Sequence, residues 1–434
     1  MGRGVGSRNR GRAWGGVALA GRRWVPLLAV LLLAGVALAG CGGLEIVEQQ
    51  PYSTISPVTE KAEDIQGLYR LIFWLALVVF VGVQAAIVYT ALRFRRRDNE
   101  RPPQIHGNRT AEIAWTIIPA VLLLAIFIPT AQTIFKHAAA EETADFPIDI
   151  YGKQWWWEAQ YPEIPLSETD AEAGPLVTAN EIMIPQGANV VFRLRSNNVI
   201  HSFWVPQLSG KRDVMPAHDN QLQFTADTVG EYFGECAEFC GGAHAWMRFK
   251  VLVVPEAEFD AWVAAMRQPP PVDGNPETAD VVDAPAAFGA CLACHRITGT
   301  NAVIAGQGLS ANPLKYEGPG PNLTLLACRD TIAAGLLENT PENLELWLKH
   351  TDEVKNGTYM PNYYEQGSIN DEQVDQLVQY LTSLKPAGGC PTDPPIGGNP
   401  AFNPELVTDG PAPAAVELVG AATPAAAVIP AEGS

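Results

Sequence analysis

Two cysteines, a histidine and a methionine that can bind a metal lie close together in the sequence. Cys236 and Cys240 are followed by His244 and Met247, and His201 lies 35 residues before Cys236. Thiolates, imidazoles and a thioether are soft or borderline ligands, which favour copper over hard cations. A mononuclear blue-copper site needs one cysteine, so the second thiolate indicates a pair of bridged copper ions that exchanges single electrons. A disulfide and a zinc site are the alternatives.

A second motif, Cys291-Leu292-Ala293-Cys294-His295, is typical of covalent haem c attachment. In such a site two thioether bonds hold the porphyrin and the histidine binds iron. Met360 is the candidate for the sixth iron ligand, because methionine and histidine together raise the haem potential. A metal-free redox pair is the alternative for the cysteines, and core packing is the alternative for Met360.

The three remaining cysteines are Cys41, Cys328 and Cys390. Cys41 follows a basic head, an apolar run over 24–40 and the sequence Leu-Ala-Gly, which is typical of a signal peptide whose removal leaves a lipidated cysteine. We therefore expect residues 1–40 to be cleaved; a retained membrane anchor is the alternative. Cys328 and Cys390 are predicted to form a disulfide, with two free thiols as the alternative.

Two further apolar segments, 71–92 and 113–135, are long enough to cross about 30 Å of hydrocarbon as helices. Short loops rich in arginine stay in the cytoplasm, and the segments are separated by Arg93, Arg95, Arg96, Arg97, Arg101 and Arg109. The sequence therefore predicts a transmembrane hairpin over 67–137, with helices at about 68–92 and 113–135 and the rest of the chain outside. A pair of buried soluble helices is the alternative.

The outer part divides by periodicity and composition. Alternating residues such as Val190, Phe192 and Leu194 predict a β-sandwich or barrel, whereas capped apolar patterns after Thr340 and Asn370 predict a small helical domain. The predicted segments are 41–66 (external), 146–267 (β-domain), 268–285 (linker), 286–390 (helical domain) and 391–434 (disordered tail). The net charge is −18, from 29 basic and 47 acidic residues. So acidic a chain repels phosphate backbones, which argues against nucleic-acid binding.

These residues resemble subunit II of cytochrome c oxidase, in the class that carries a fused cytochrome c. The resemblance covers about residues 45–390 and includes the copper loop. It further rests on His106-Gly107-Asn108, on Glu112-Ile113-Ala114-Trp115-Thr116-Ile117-Ile118-Pro119, on Gly152-Lys153-Gln154-Trp155-Trp156-Trp157 and on His201-Ser202-Phe203-Trp204-Val205-Pro206.

The resemblance implies a multidomain fold: a two-helix transmembrane hairpin, a cupredoxin-like β-barrel and a small all-α cytochrome c domain. It implies a dinuclear CuA centre bridged by Cys236 and Cys240, with further ligands from His201, His244, Met247 and the Glu238 carbonyl. The Glu238 carboxylate resembles a magnesium ligand at the subunit I interface. Trp155 matches the tryptophan at which electrons enter the copper site and is expected on a partly exposed docking patch. Glu112 resembles the carboxylate at the mouth of a proton path.

The function implied is that of an electron-transfer subunit of a haem-copper oxidase. Electrons would pass from an external donor through haem c and CuA to subunit I, which reduces oxygen to water and pumps protons. The donor could be a cytochrome c, a blue-copper protein or a respiratory complex, and the location a bacterial cell membrane with both metal domains on its outer face. The alternatives are the CuA subunit of a nitric oxide reductase and a free-standing copper lipoprotein.

Overall fold

The computed structural model describes residues 52–95, 106–140, 145–168, 174–268, 284–295, 297, 320–386 and 389–390. The predicted signal peptide, Cys41, most of the predicted linker and the C-terminal tail lie outside the described residues. Within them, the chain forms a helical hairpin, a two-sheet β-domain and a small helical domain. The β-domain and the helical domain are in contact, and the candidate site is built along that contact.

The hairpin consists of helices α1 (Glu60–Arg93) and α2 (Arg109–Ala140). Their apolar windows have mean hydropathies of 2.6 and 2.3, and no residue of either window is buried by protein. Apolar surface left uncovered over this length fits helices that cross a membrane. Both helices extend past the predicted spans. At the start of α1, Thr59 accepts a hydrogen bond from the Ala62 N–H, so the helix begins several polar residues before the apolar run.

The outer end of α1 is attached to the β-domain. The Thr59 hydroxyl donates a 2.6 Å hydrogen bond to the Leu208 carbonyl, and Lys61 Nζ donates a 3.1 Å hydrogen bond to the Gln223 carbonyl. These contacts fix the height of the β-domain above the membrane-spanning segment.

The strands of the β-domain are β1 (Phe146–Lys153), β2 (Trp156–Pro165), β3 (Pro175–Ala179), β4 (Glu181–Pro185), β5 (Asn189–Ser196), β6 (His201–Trp204), β7 (Arg212–Val214), β8 (Asn220–Thr225), β9 (Gly230–Cys236) and β10 (Arg248–Val254). They form two five-stranded sheets, with strand orders β3-β2-β1-β5-β8 and β4-β10-β9-β6-β7. Helix α3 (Glu256–Met266) follows β10. Side chains from both sheets, including Trp157, Phe192, Phe203 and Phe249, form one apolar core. This architecture confirms the predicted β-domain.

The burial of strand β10 differs from what its alternating sequence predicts. Phe249, Val251 and Val253 are buried as the alternation predicts, but Lys250 is also only 4% exposed. The helical domain covers this second face, and Asp330 from that domain pairs with Lys250 at 2.5 Å. The alternating sequence predicts that Lys250 faces solvent, but its side chain lies in the contact between the two domains.

The helical domain contains α4 (Phe288–Cys291), α5 (Pro341–Lys349), α6 (Thr351–Val354) and α7 (Asp371–Ser383). Thr340 caps α5, and Asn370 forms a reciprocal capping box with Gln373 at α7. The rings of Phe288 and Tyr380 pack 4.9 Å apart where α4 meets α7. The predicted helices are therefore confirmed. A two-stranded hairpin of β11 (Thr331–Ile332) and β12 (Leu337–Glu338) was not predicted, because such short strands leave no periodic pattern.

A disulfide joins Cys328 to Cys390 across 62 residues of sequence. Closing a loop of this length stabilises the folded state by about 4 kcal/mol in the chain-entropy description. We expect Cys390→Ser to lower the melting temperature of the helical domain without changing that of the β-domain, measured by calorimetry on the full chain. A Cys390→Ser helical domain with the same melting temperature as the parent would contradict this role.

Candidate metal centres

The copper-ligand candidates are brought together by two neighbouring strands and the loop that follows them. His201 opens β6 and Cys236 closes β9, and these strands pair with Phe203 opposite Cys236. After Cys236 the chain forms a loop that carries Cys240. Gly241, with a φ of +118°, packs so closely on the Trp155 ring that a Cβ would lie 2.9 Å from it. A side chain at Gly241 would displace the loop.

The first half of the cluster surrounds Cys236, which is 6% exposed. Its Sγ lies 3.8 Å from Cys240 Sγ and 3.9 Å from His201 Nδ1. The Glu238 backbone oxygen is 3.2 Å from the same sulfur. Both cysteines are free thiols, and the His201, Cys236 and Cys240 ligand atoms lie within 4.8 Å of one another.

The second half surrounds Cys240. Its Sγ lies 3.6 Å from His244 Nδ1 and 3.9 Å from Met247 Sδ, and Met247 is fully buried. Each cysteine thus has its own imidazole, and each half has a weaker donor, the thioether on one side and the Glu238 carbonyl on the other. This donor set fits a pair of copper ions that share the sulfurs.

The two thiols influence each other's ionisation. The hydrogen bond from Cys240 lowers the pKa of the Cys236 thiol well below its usual value. The same contact raises the pKa of Cys240. One thiolate is therefore stabilised by the fold alone, and binding of a cation favours the second, because metal ligands must be deprotonated.

Groups behind the ligands hold them in place. Asn198 Oδ1 lies 3.1 Å from His201 Nε2, leaving Nδ1 directed at the cysteines. The Cys240 carbonyl accepts 2.7 Å and 3.1 Å hydrogen bonds from the Gln154 side-chain amide and the Trp155 indole. Asn198 and Gln154 were not among the predicted site residues, since single polar residues in loops carry no distinctive spacing. Such supporting hydrogen bonds orient metal ligands.

The two predicted carboxylates lie apart from this cluster. The Glu238 side chain is exposed, next to Phe239, which is 76% exposed. Glu112 is also exposed, in the first turn of α2, and accepts a 3.2 Å hydrogen bond from the Asn108 N–H. Both side chains face outward from the protein.

The haem-motif residues line a cavity of about 370 Å³ in the helical domain. This volume falls in the range of about 300–1,000 Å³ seen for ligand and cofactor sites. Cys291, Cys294, His295 and Met360 all contribute to the lining, which is largely apolar. The structure therefore places the predicted iron ligand, the sixth-ligand candidate and both attachment cysteines around one space.

One nitrogen of His295 is already occupied. Nδ1 lies 2.8 Å from the Pro321 carbonyl, which leaves Nε2 for iron. A Cβ at Gly320 would lie 2.8 Å from the imidazole, so glycine is required there. Burial lowers the pKa of His295, which favours the neutral form that binds iron.

Arg329 lines the same cavity and was not predicted. Its guanidinium donates to the Asn322 carbonyl, and burial lowers its pKa to about 10. A partly buried cation beside a cofactor cavity is suited to a carboxylate of that cofactor. No signal separates this residue from other arginines in the sequence.

The wall of the cavity includes residues of the β-domain, among them Trp155. Trp155 was expected on a partly exposed docking patch, and that expectation is wrong: it is 5% exposed. The Tyr359 ring packs 4.5 Å from its ring, and Lys355 Nζ donates a 2.6 Å hydrogen bond to its carbonyl. The helical domain therefore covers Trp155 and the surface around it.

A partly buried polar cluster joins the two domains beside this contact. The Glu181 carboxylate accepts hydrogen bonds from the N–H groups of Asp330 and Thr331, at 3.1 Å and 2.9 Å. Lys250 pairs with Asp330, and burial raises the pKa of Glu181. Removing Asp330 would leave the buried amine of Lys250 without this partner, so the ion pair favours the docked position.

Three family models match successive parts of the chain. Residues 54–132 match the transmembrane domain of cytochrome c oxidase subunit II, and residues 146–254 match its periplasmic domain. Residues 281–385 match cytochrome c. These matches correspond to the hairpin, the β-domain and the helical domain of the structure.

Curated relatives match over nearly their whole length. Cytochrome c oxidase subunit 2 of Alkalihalophilus pseudofirmus is 33% identical over 84% of this chain and 97% of that protein. Cytochrome c oxidase subunit 2 of Bacillus sp. (strain PS3) is 34% identical over 83% of this chain and 97% of that protein. The solved periplasmic domain of subunit II of cytochrome oxidase from Bradyrhizobium japonicum is 31% identical, covering 28% of this chain and 92% of that chain, at a TM-score of 0.24.

Full-length relatives and three matched domains agree with the clustered sulfur ligands and the cavity around the haem motif. The copper and haem implied by those domains mark an electron-transfer subunit of a haem-copper oxidase in the membrane, with its metal domains in the periplasm. The chain belongs to the cytochrome c oxidase subunit II family, as a member with a fused cytochrome c domain.

Proposed function

We propose that this chain takes electrons from an external donor into a covalently bound haem c and delivers them through a dinuclear CuA centre to subunit I. Subunit I then reduces oxygen to water and pumps protons. The observation that carries the proposal is the position of Trp155. It lines the haem cavity and hydrogen-bonds the backbone of Cys240, so one residue touches both candidate centres.

The copper pair is assigned to Cys236 and Cys240 as bridging ligands, with His201, His244, Met247 and the Glu238 carbonyl as the remaining ligands. When bound, the pair supplies one-electron exchange with its charge spread over both ions. The protein buries the sulfurs and holds the assigned ligand atoms in place before metal binds. The 3.8 Å separation of the sulfurs supports a shared site.

The haem is assigned to Cys291 and Cys294 for covalent attachment, and to His295 and Met360 as iron ligands. When bound, it supplies a single reversible electron at a potential raised by methionine ligation. His295 is oriented by the Pro321 carbonyl. Arg329 provides a positive charge for a propionate.

Two exposed carboxylates are assigned to the boundary with subunit I. Glu238 has its backbone oxygen at the copper cluster and its side chain in solvent, which suits a magnesium ion held between two subunits. We also assign Glu112, at the proposed cytoplasmic end of α2, to the mouth of a proton path. This assignment rests on the resemblance and on the exposed position of Glu112 in the first turn of α2.

The domain boundaries proposed from sequence are supported by the elements that frame them. Helix α3 ends at Met266 and α4 begins at Phe288, on either side of the proposed linker. We place the chain in a bacterial cell membrane, anchored by the hairpin and by a lipid on Cys41, because the full-length relatives are bacterial proteins. Its donor would be a cytochrome c, a blue-copper protein or a respiratory complex.

The test is purification of the intact membrane complex, followed by optical and electron paramagnetic resonance spectra and gas electrodes. We expect a c-type haem band, a mixed-valence copper signal and oxidase haems in one particle that consumes oxygen. Consumption of nitric oxide without oxygen reduction would assign the chain to a reductase instead. Recovery of the chain without a catalytic partner would overturn the proposal.

A further inference from the structure

The two metal domains meet through a pair of aromatic rings. Trp155 lies in the turn between β1 and β2, and Tyr359 directly precedes Met360 in the helical domain. Their ring centroids are 4.5 Å apart and the ring planes are inclined by 39°. The Trp155 indole also donates a 3.1 Å hydrogen bond to the Cys240 carbonyl. The pair of rings therefore connects the backbone of Cys240, a proposed copper ligand, with the residue next to Met360, a proposed iron ligand.

A buried lysine fixes the backbone on the copper side of this pair. Lys355 is 5% exposed, and its Nζ donates to the Trp155 carbonyl at 2.6 Å and to the Ala333 carbonyl at 3.5 Å. Burial lowers the pKa of Lys355 to about 7. Placing an amine here is costly compared with an apolar side chain, so the hydrogen bond to Trp155 is the feature that accounts for a lysine at this position.

The backbones of the two domains also touch beside the rings. A Cβ at Gly357 would lie only 2.9 Å from the Gly242 carbonyl carbon, and Gly357 has a φ of +81°. At this point neither a larger side chain nor a water molecule fits between the copper loop and the loop that carries Tyr359. The spacing of the two rings is therefore set by close backbone packing as well as by Lys355.

We propose that Tyr359 is the residue through which electrons leave the haem domain, and that Lys355 is a positioning residue that holds Trp155 against it. The inference rests on the proposed function, since it takes haem c and CuA as the end points. The Tyr359–Trp155 contact carries one electron, lost by the haem iron and gained by the copper pair. No bond forms or breaks, and no proton moves.

The first test uses Tyr359→Leu, Tyr359→Phe and, as a matched control, Tyr364→Leu, each in the assembled oxidase. An electron is injected photochemically into the haem, and the rate constant for copper reduction is recorded. We expect Tyr359→Leu to slow this step by about tenfold, because small losses of positioning have large effects on rate. Tyr359→Phe keeps the ring and is expected to keep the rate, as is Tyr364→Leu.

The second test addresses positioning, with Lys355→Met, Lys355→Arg and the control Lys349→Met, whose amine pairs with Glu345 and Asp371. Lys355→Met is expected to slow the same step, while Lys355→Arg keeps a donor for the Trp155 carbonyl and restores most of the rate. In a Tyr359→Leu background, Lys355→Met should cause no further loss, because both changes act on one contact. Additive losses would overturn the positioning role.

The potentials and spectra of both centres are measured in every variant. They are expected to stay at the parent values, which separates loss of the contact from damage to a centre. An unchanged rate in Tyr359→Leu with both centres intact would overturn the inference and leave the proposed function standing. If that variant does not load both centres, an unchanged rate in Lys355→Met decides against the inference. A parent chain lacking either spectrum would instead overturn the proposed function.

Discussion

Cys240→Ser is expected to abolish the mixed-valence copper signal and electron delivery to subunit I. The Cys240 sulfur is the centre of the cluster, at 3.8 Å from Cys236 Sγ, 3.6 Å from His244 Nδ1 and 3.9 Å from Met247 Sδ. A hydroxyl is a hard, weakly acidic ligand that cannot bridge two copper ions as a thiolate does. Replacing a residue that only orients a metal ligand lowers metal affinity by up to about 100-fold. Cys240 is itself a proposed ligand, so its replacement is expected to lower copper affinity by more than this.

Asn198→Ala provides a graded comparison for this prediction. It removes the 3.1 Å contact that orients His201 but leaves all six ligands. A loss of about tenfold in copper affinity is expected, in the range for residues that orient a ligand. Metal analysis, electron paramagnetic resonance and thermal melting are measured on both variants. A Cys240→Ser chain that keeps a signal from two coupled copper nuclei would refute the bridging assignment.

The double change Cys291→Ala and Cys294→Ala is expected to remove covalent haem completely. Both thiols line the 370 Å³ cavity with His295, so each is placed to form a thioether bond with the same porphyrin. Without those bonds the cavity holds no fixed group and the surrounding apolar cluster loses its centre, so the helical domain is expected to unfold at a lower temperature. Oxygen consumption with an external donor should be lost.

Haem staining of the denatured chain measures the attachment, and Cys328→Ser is the matched control. Cys328 belongs to the same domain but to the disulfide, so its replacement should leave the stain unchanged. Copper loading is expected to survive the double change, because the proposed copper ligands lie in the β-domain and the two changed cysteines lie in the helical domain. Haem that remains bound to the denatured double variant would contradict the assignment.

The parts predicted from sequence are those encoded by local spacing. The copper loop, the haem motif and the caps at Thr340 and Asn370 are each contained in a few consecutive residues, and the apolar segments of the hairpin are continuous. Such patterns depend on neighbours in the chain, so they can be recognised without a tertiary structure. The helices extend past the apolar segments because their ends are set by capping groups such as Thr59.

The contact between the β-domain and the helical domain could not be predicted in this way. Lys250, Trp155 and Lys355 are brought to the contact by residues more than 70 positions away, across a proline-rich linker. Alternation in β10 identifies a polar face but not the domain that covers it. In the docked arrangement Trp155 is covered by the helical domain and packs against the Tyr359 ring, which is itself 65% exposed, so the sequence-based expectation of a partly exposed Trp155 is wrong.

This arrangement also changes how a donor can reach the copper. An exposed surface near Trp155 would allow direct reduction of the copper pair by a separate protein, whereas Trp155 is only 5% exposed, so under the proposed function we expect the donor to reduce the haem first. The polar cluster of Glu181, Lys250 and Asp330 stabilises that position. Fusion therefore supplies both a high local concentration and a fixed orientation of the haem domain.

The central claim is that Cys236 and Cys240 share two copper ions that hold one electron between them. Copper analysis and electron paramagnetic resonance of the purified full chain test this claim most directly. The predicted result is a pair of copper ions for each chain and a spectrum in which one unpaired electron couples equally to both nuclei. A single copper ion with coupling to one nucleus, or a Cys236–Cys240 disulfide found by mass spectrometry, would contradict it.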